Sequence, residues 1–329
     1  MTWDFSLRAA FGAMKKTLPF ILLRIAVYFG VAMLYIFATG AGSGVGYLVT
    51  NIGDGEGVGA GYGALAGFAG ASGILYWARE YILYIVKAGH IAVLVKHYDG
   101  EPFPGDRSQL EYAKAEVQSR FAQANVLFGI DQLIKGVLKI ITGTLNTVAN
   151  FLPIPGLSQL TKMASAVVRM SLTYVDEIIL AHLIRTHSDN PWEESRRALV
   201  LYAQNYGGMI KNAIWLSLMM WLLTLIIFLI ALAPVAGIVA LFPGNAGLWG
   251  AAVAFIFAWS VKSAVIEPIA IYALMQVYFK RIEGQEPNPE WEAKLENASS
   301  HFRRLKDKAV GYIKPRSSET QQAPPSANT

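Results

Sequence analysis

The sequence predicts an all-α membrane protein: a polytopic transmembrane helix bundle of about six helices, with four as the alternative count, carrying amphipathic cytoplasmic helices. Three observations predict it. Of 329 residues 54% are hydrophobic and only 16% charged, against about 25% charged in soluble domains. Apolar stretches are long enough to cross a bilayer. Lys and Arg are also missing from alternate connections between those stretches and gathered in the others, as the positive-inside rule requires.

Residues 1–17 mix Trp3, Phe5, Phe11 and Met14 with basic residues, which suits a short helix at a membrane interface. The first span is expected over 18–39, with Arg24 as its single charge. Arg8, Lys15 and Lys16 before an apolar run resemble a signal peptide, but the run exceeds an h-region of about 7–15 residues, so it reads as a retained helix. A glycine-rich stretch follows, first polar around Asp54 and Glu56, then apolar. In the apolar part Gly59, Gly63 and Gly67 stand four apart and present bare backbone along one helix face for close packing. The second span is expected over 58–78, with helix continuing towards Tyr98.

Asp99 to Gly105, with Pro102 and Pro104, interrupts the chain, and Asp106 with Gln109 forms a capping-box pattern for a polar helix. Spans three and four are expected over 126–152 and 157–184, as a hairpin about the uncharged turn 151–157. Each has one polar stripe at helical spacing. Asp131, Lys135 and Lys139 lie on the first; Arg169 and Asp176 lie on the second. Asn190-Pro191 and Asn288-Pro289 read as helix starts, with Asn as N-cap and Pro in the first turn. Spans five and six are expected over 213–241 and 247–280. A helix over 285–314 should present Trp291, Leu295, Ala298, Phe302 and Leu305 on one face, and 315–329 has a disordered composition.

The cation-free segments 40–57, 153–156 and 242–246 place those loops outside. They place both termini in the cytoplasm, with the protein in a plasma membrane or bacterial inner membrane. The net charge of +5 then fits anionic membrane lipids, and nucleic acid is not an expected partner. There is no cysteine, hence no disulfide or thiolate site. Neither a phosphate loop, a nucleophile elbow nor a His-Glu-x-x-His motif occurs. His90 and His97 share a helix face without a third ligand at metal spacing. No cofactor and no enzymatic activity are expected.

The chemistry-bearing residues are therefore charges at membrane depth, where each costs at least about 2.5–3.5 kcal/mol and needs a partner or water. In the hairpin, Lys135 should fall opposite Asp176 and Asp131 near Ile178, with Lys139 beside Arg169. Glu267-Pro268 puts an acid beside a helix break that frees the carbonyl of residue 264. Arg24 is the expected partner of Glu267, whereas Lys262, five residues away, is too far round an α-helix. The hairpin stripes read either as a hydrophilic pathway or anion-binding pocket, or as faces turned to water by helices lying half in the headgroup layer. Glu267 reads either as part of a transport site or as a structural ion pair.

The stretch Arg196-Arg-Ala-Leu-Val-Leu-Tyr-Ala-Gln-Asn205, with an apolar helix, a short loop and a long final helix from Ser263 through Phe279, resembles the C-terminal part of choline transporter-like membrane proteins. The resemblance covers the stretch from Arg196 through Phe279, and the cysteines and large external loop of that family are missing. It implies transport and assigns no binding residue. The expectation is a small-molecule or lipid transporter or permease. The alternative is a non-catalytic scaffold or assembly factor that binds protein partners or forms a homo-oligomer.

Overall fold

The computed structural model describes residues 3–51, 58–103, 108–120, 129–137, 174–239 and 246–312, which are helical with short connections and contain no strand. Helix α1 (Leu7–Lys16) starts at Ser6, whose Oγ accepts the Ala9 N–H at 3.2 Å, an N-cap that satisfies one orphan donor. Its buried side, Ala10, Ala13 and Met14, packs on protein. Helices α2 (Leu18–Asn51) and α3 (Val58–Tyr98) form a first long hairpin. Four shorter helices follow: α4 (Gln109–Arg120), α5 (129–137), α6 (Val175–Thr186) and α7 (Pro191–Gln204). A second hairpin pairs α8 (Tyr206–Val239) with α9 (Ala246–Val261). A five-residue π-helical turn, Lys262–Ile266, then leads into α10 (Glu267–Ile282). Helices α11 (Pro289–Ala298) and α12 (Ser300–Val310) complete the described chain.

The molecule has two zones. In the outer zone the hairpins expose large apolar side chains: Met33, Phe37, Leu48 and Leu65 on the first, and Leu222, Leu229, Ile230 and Phe255 on the second. No charged residue occurs from 25 to 53 or from 212 to 261. A soluble protein does not leave apolar surface of that extent in water. Three helices among the described residues are long and apolar enough to cross a membrane: Leu18–Val49, Tyr206–Pro234 and Ala254–Ile282. Their hydrophobic windows are 17%, 28% and 67% buried within the protein, so the first two leave most of their apolar surface exposed and the third runs into the interior. The inner zone holds the closely packed core, in which Ile91 and Leu94 of α3, Ile178 and Ile179 of α6, Leu199 of α7 and Tyr278 of α10 are all buried. Both ends of the described chain sit in this zone. Asp4 N–H donates to Asn212 Oδ1 at 2.9 Å, and Asn190 Nδ2 donates to the Ala309 carbonyl at 2.8 Å.

Several sequence boundaries shift. The first span extends from 39 to Asn51, because the glycines at 40–46 continue the helix. The cap of α4 is Ser108, whose Oγ accepts the Glu111 N–H at 3.3 Å while Glu111 Oε2 accepts the Ser108 N–H at 2.9 Å; Asp106 lies outside the described residues. Asn190 caps α7 and Asn288 caps α11 as expected. The C-terminal helix is two helices, because Ser299 adopts extended backbone and caps α12 through Phe302 N–H. That break takes Ala298 off the expected stripe and leaves it exposed, while Leu295, Phe302 and Leu305 are buried. Helix α12 packs on α7, with Lys308 Nζ 4.8 Å from the Trp192 ring centroid. Of the expected spans 126–152 and 157–184, residues 129–137 and 174–184 are described and belong to the inner zone; the remainder, and the tail 315–329, lie outside the described residues.

The α2–α3 hairpin is joined by backbone contact. A Cβ at Gly42 would overlap the Gly63 carbonyl and stand 2.9 Å from Gly67 Cα; one at Gly46 would overlap the Gly59 carbonyl and stand 2.9 Å from Gly63 Cα. Gly67 is blocked in the same way by Ala38. The row Gly59, Gly63, Gly67 thus meets a matching row on α2, where close approach replaces side-chain interdigitation. Gly61, with nothing near its missing Cβ, is an internal control. Gly46→Ala or Gly63→Ala is expected to cost about 1–3 kcal/mol by overpacking, read as a lower melting temperature in detergent, and Gly61→Ala to cost nothing.

The N-terminus is tied by Asp4, whose Oδ2 accepts from Arg281 Nη2 at 2.7 Å and from Asn212 Nδ2 at 3.0 Å. The Arg281 hydrogen bond first, and then that of Asn212, hold the Asp4 carboxyl below its usual value. A carboxylate depressed in the folded state contributes stability above its unfolded pKa and loses it as pH falls through the folded one. Both partners are partly exposed, so the contribution stays below about 1 kcal/mol. Amide exchange over residues 4–16 should therefore accelerate as pH drops below the ordinary carboxylate range, after correction for intrinsic rates. Asp4→Asn should remove that acid dependence.

A charge-lined cavity as candidate functional site

The site begins at the π-helical turn. The Glu267 N–H donates to the Lys262 carbonyl, a bond spanning five residues where the α-helical one spans four, so the turn there is widened by about one residue. Lys262 and Glu267 consequently share a face, and Lys262 Nζ lies 2.8 Å from Glu267 Oε1. The α-helical expectation that they stand too far round from each other fails for this reason. Pro268 has no N–H to offer the Ser263 carbonyl in this register. Arg24 supplies the donor, with Nη2 2.6 Å from Ser263 O and 3.6 Å from Glu267 Oε2. The Ser263 carbonyl, one residue before the expected 264, is the one seen to take an outside donor. Ser263 Oγ completes the set at 3.2 Å from Glu267 Oε1. The expected Arg24–Glu267 pair is present, and Arg24 is fully buried.

A second cluster faces it from α3, α5 and α6. Lys87 Nζ lies 2.5 Å from Glu177 Oε1. Lys135 Nζ lies 2.8 Å from Asp131 Oδ2, one turn away on α5, and 3.7 Å from Asp176 Oδ2. The expected approach of Lys135 to Asp176 is observed, with Asp131 the nearer partner. Lys139 and Arg169 lie outside the described residues. Between the clusters is a cavity of about 430 Å³. Its walls include Tyr28, Lys87, Asp131, Lys135, Asp176, Glu177, Trp259 and Glu267. Lys262 is taken up from behind by the Trp259 ring, at 4.8 Å from its centroid.

Sequence reading missed Lys87 and Glu177. Lys87 is a lone charge in the apolar run 81–95, as Arg24 is in α2, but it lies beyond the expected span 58–78. Glu177 follows Asp176 directly and was passed over because it is off the polar stripe. Also missed was an inner-zone network in which His182 Nε2 lies 2.7 Å from Glu194 Oε1 and His182 Nδ1 lies 3.3 Å from Tyr278 Oη, with His182 and Tyr278 buried and Glu194 half-buried. His90 and His97 part company. His90 is buried, stacked on Phe20 with its Nε2 3.1 Å from Thr17 Oγ1, and His97 stacks on Tyr272. No group of three or more His, Asp or Glu among the described residues could hold a metal ion.

The chain has no significant match among protein-family models, curated proteins or solved structures.

The ion-pair geometry fixes an energetic expectation. Removing one member of a buried charge cluster strands the others and costs about 3–5 kcal/mol. Glu267→Gln, which leaves Arg24 and Lys262 without a counter-charge, should lower the melting temperature in detergent sharply. Adding Lys262→Gln should recover part of the loss; no recovery would separate Lys262 from Glu267 energetically.

Proposed function

We propose that this protein is a transporter or permease whose cavity accepts a polar small molecule or a lipid headgroup from the inner side of the membrane. The single observation behind this reading is the position of the cavity. It lies where two apolar hairpins meet the inner helical zone, and four carboxylates and two lysines line it. Charged groups at such a boundary are expensive unless they are paired, hydrated or functional, and a cavity of about 430 Å³ falls within the usual size of a small-molecule site. We further read α3 as a fourth crossing helix, because it runs beside the spanning part of α2 in backbone contact. That gives an even number of crossings and places both chain ends on one side, the cytoplasm by the distribution of Lys and Arg. The expected pair 126–152 and 157–184 would raise four crossings to six without changing that orientation.

The scaffold reading retains one observation in its favour. The inner zone is a substantial helical body, in which α11 is tied to α7 by Arg196 and Glu292 and α12 by Lys308 over Trp192 and Asn190 on the Ala309 carbonyl, and it offers a face to protein partners or a second copy. The two readings separate in vesicles. Full-length protein should be reconstituted and assayed with radiolabelled amino acids, polyamines and short-chain fluorescent phospholipids. At least one probe class is expected to cross saturably, and Leu180→Trp, which fills the cavity wall, should abolish its movement while keeping the melting temperature within a few degrees. If no probe crosses faster than in empty vesicles, the transport reading fails and the scaffold reading stands.

A further inference from the structure

We propose that Asp176 and Glu177 hold one proton between them, making the α6 side of the cavity a proton-binding site. The argument rests on the balance of partners around the cavity. On the α10 side Glu267 faces two cations, Arg24 and Lys262, and its oxygens are engaged by both and by Ser263. On the opposite side three carboxylates, Asp131, Asp176 and Glu177, share two lysines, Lys87 and Lys135. Lys135 is nearest Asp131, and Lys87 is nearest Glu177 Oε1. One negative charge therefore has no close cation of its own among the described residues.

The atom that reveals the shortage is Glu177 Oε2. It is buried and has no hydrogen-bond partner among the described residues, while the Glu177 side chain is 5% exposed. The Asp176 carboxyl is within hydrogen-bonding reach of Glu177. Two ionised carboxylates have only acceptors to offer each other, so that approach is repulsive. A proton on Asp176 turns it into a donor, satisfies Glu177 and removes the uncompensated charge together. Burial and a like charge each disfavour the second ionisation, and a carboxylate pair sharing one proton is the ordinary outcome.

The remaining neighbours agree with this assignment. Lys87 from α3, held on Glu177 Oε1, keeps Glu177 the ionised member. Asp131 and Lys135 from α5 neutralise each other, and Lys135 stands 3.7 Å from Asp176, farther than a tight ion pair. Glu267 from α10 is held by Arg24 and Lys262, and Tyr28 from α2 with Tyr84 from α3 completes the wall as neutral phenols. Charged groups of α7 act at the far end of α6, where Glu194 is taken by His182. Both carboxyls line the cavity, so the proton is in a place where an entering solute or water reaches it.

The inference goes beyond the transport reading and does not need it, since vesicles that move no solute still bind the proton. The test is an infrared titration of the full-length protein in phosphatidylcholine vesicles, from about pH 6 to about pH 10. A protonated-carboxyl band is expected at neutral pH and should fade as pH rises. It should be absent in Asp176→Asn, whose amide still donates to Glu177 and keeps the fold, and absent in Glu177→Gln. It should persist in Asp131→Asn. No such band in the unaltered protein at neutral pH, or a band that survives both Asp176→Asn and Glu177→Gln, overturns the proposal.

Discussion

A carboxylate held between two hairpins at the edge of an apolar slab constrains everything around it. Glu267 sits at the start of α10 and is engaged by Lys262 and Ser263 of its own chain segment and by Arg24 of the first hairpin. Arg24 cannot turn to water, because it is buried from α2 through to the π turn, and its Nη2 also serves the carbonyl that Pro268 leaves without a donor. One arginine thus closes both an ionic and a backbone deficit. The closure joins α2 to the α9–α10 segment at one depth and sets how far each hairpin can slide against the other.

The two hairpins solve the packing problem differently. Between α2 and α3 glycine faces glycine and the backbones touch, which suits a lipid environment where apolar side chains gain nothing by leaving solvent. Between α8 and α9 large aromatics meet edge to face, Phe228 with Phe255 and Trp221 with Trp259. The contact between hairpins is sparser, with Phe29 against Phe257 and then the Arg24 cluster. The closer seams thus lie inside each hairpin, and the sparser one runs between them beside the cavity.

Much of the helical layout was legible in the sequence because it depends on local signals. Asn190-Pro191 and Asn288-Pro289 mark helix starts by capping chemistry, and the apolar runs after Thr17 and Asn205 are long enough to need no tertiary information. The glycine spacing was legible too, since four-residue periodicity defines a face; its partner on α2 was not, because Gly42 and Gly46 read as loop residues in a glycine-rich stretch. Of the site, the membrane-depth charges Arg24, Asp131, Lys135, Asp176, Lys262 and Glu267 stood out by cost. The pairs Arg24–Glu267 and Lys135–Asp176 followed from sequence, but Lys262–Glu267 did not, because it depends on a π turn. An extra residue per turn changes which side chains share a face, and no sequence periodicity announces it. Lys87 and Glu177 become visible only when α3 and α6 are brought together.

The π turn also accounts for the asymmetry of the cavity. With regular α-helix from 254 to 282, Lys262 would point away from Glu267, and Arg24 alone would neutralise it, leaving a balanced pair on that side. The inserted residue swings Lys262 onto the same face and gives that side one cation more than its carboxylates require, while the α5–α6 side holds one carboxylate more than its lysines. When Asp176 gives up its proton, the negative excess so created is attracted by the positive excess across the cavity, so the register shift ahead of α10 favours the deprotonated state of the side that faces it. Straightening the turn would withdraw Lys262 and make the negative excess on α6 harder to keep. A change of helix register on one side of the cavity and the protonation of carboxylates on the other are therefore linked through the field between them, with no moving contact required in the space that a solute would occupy.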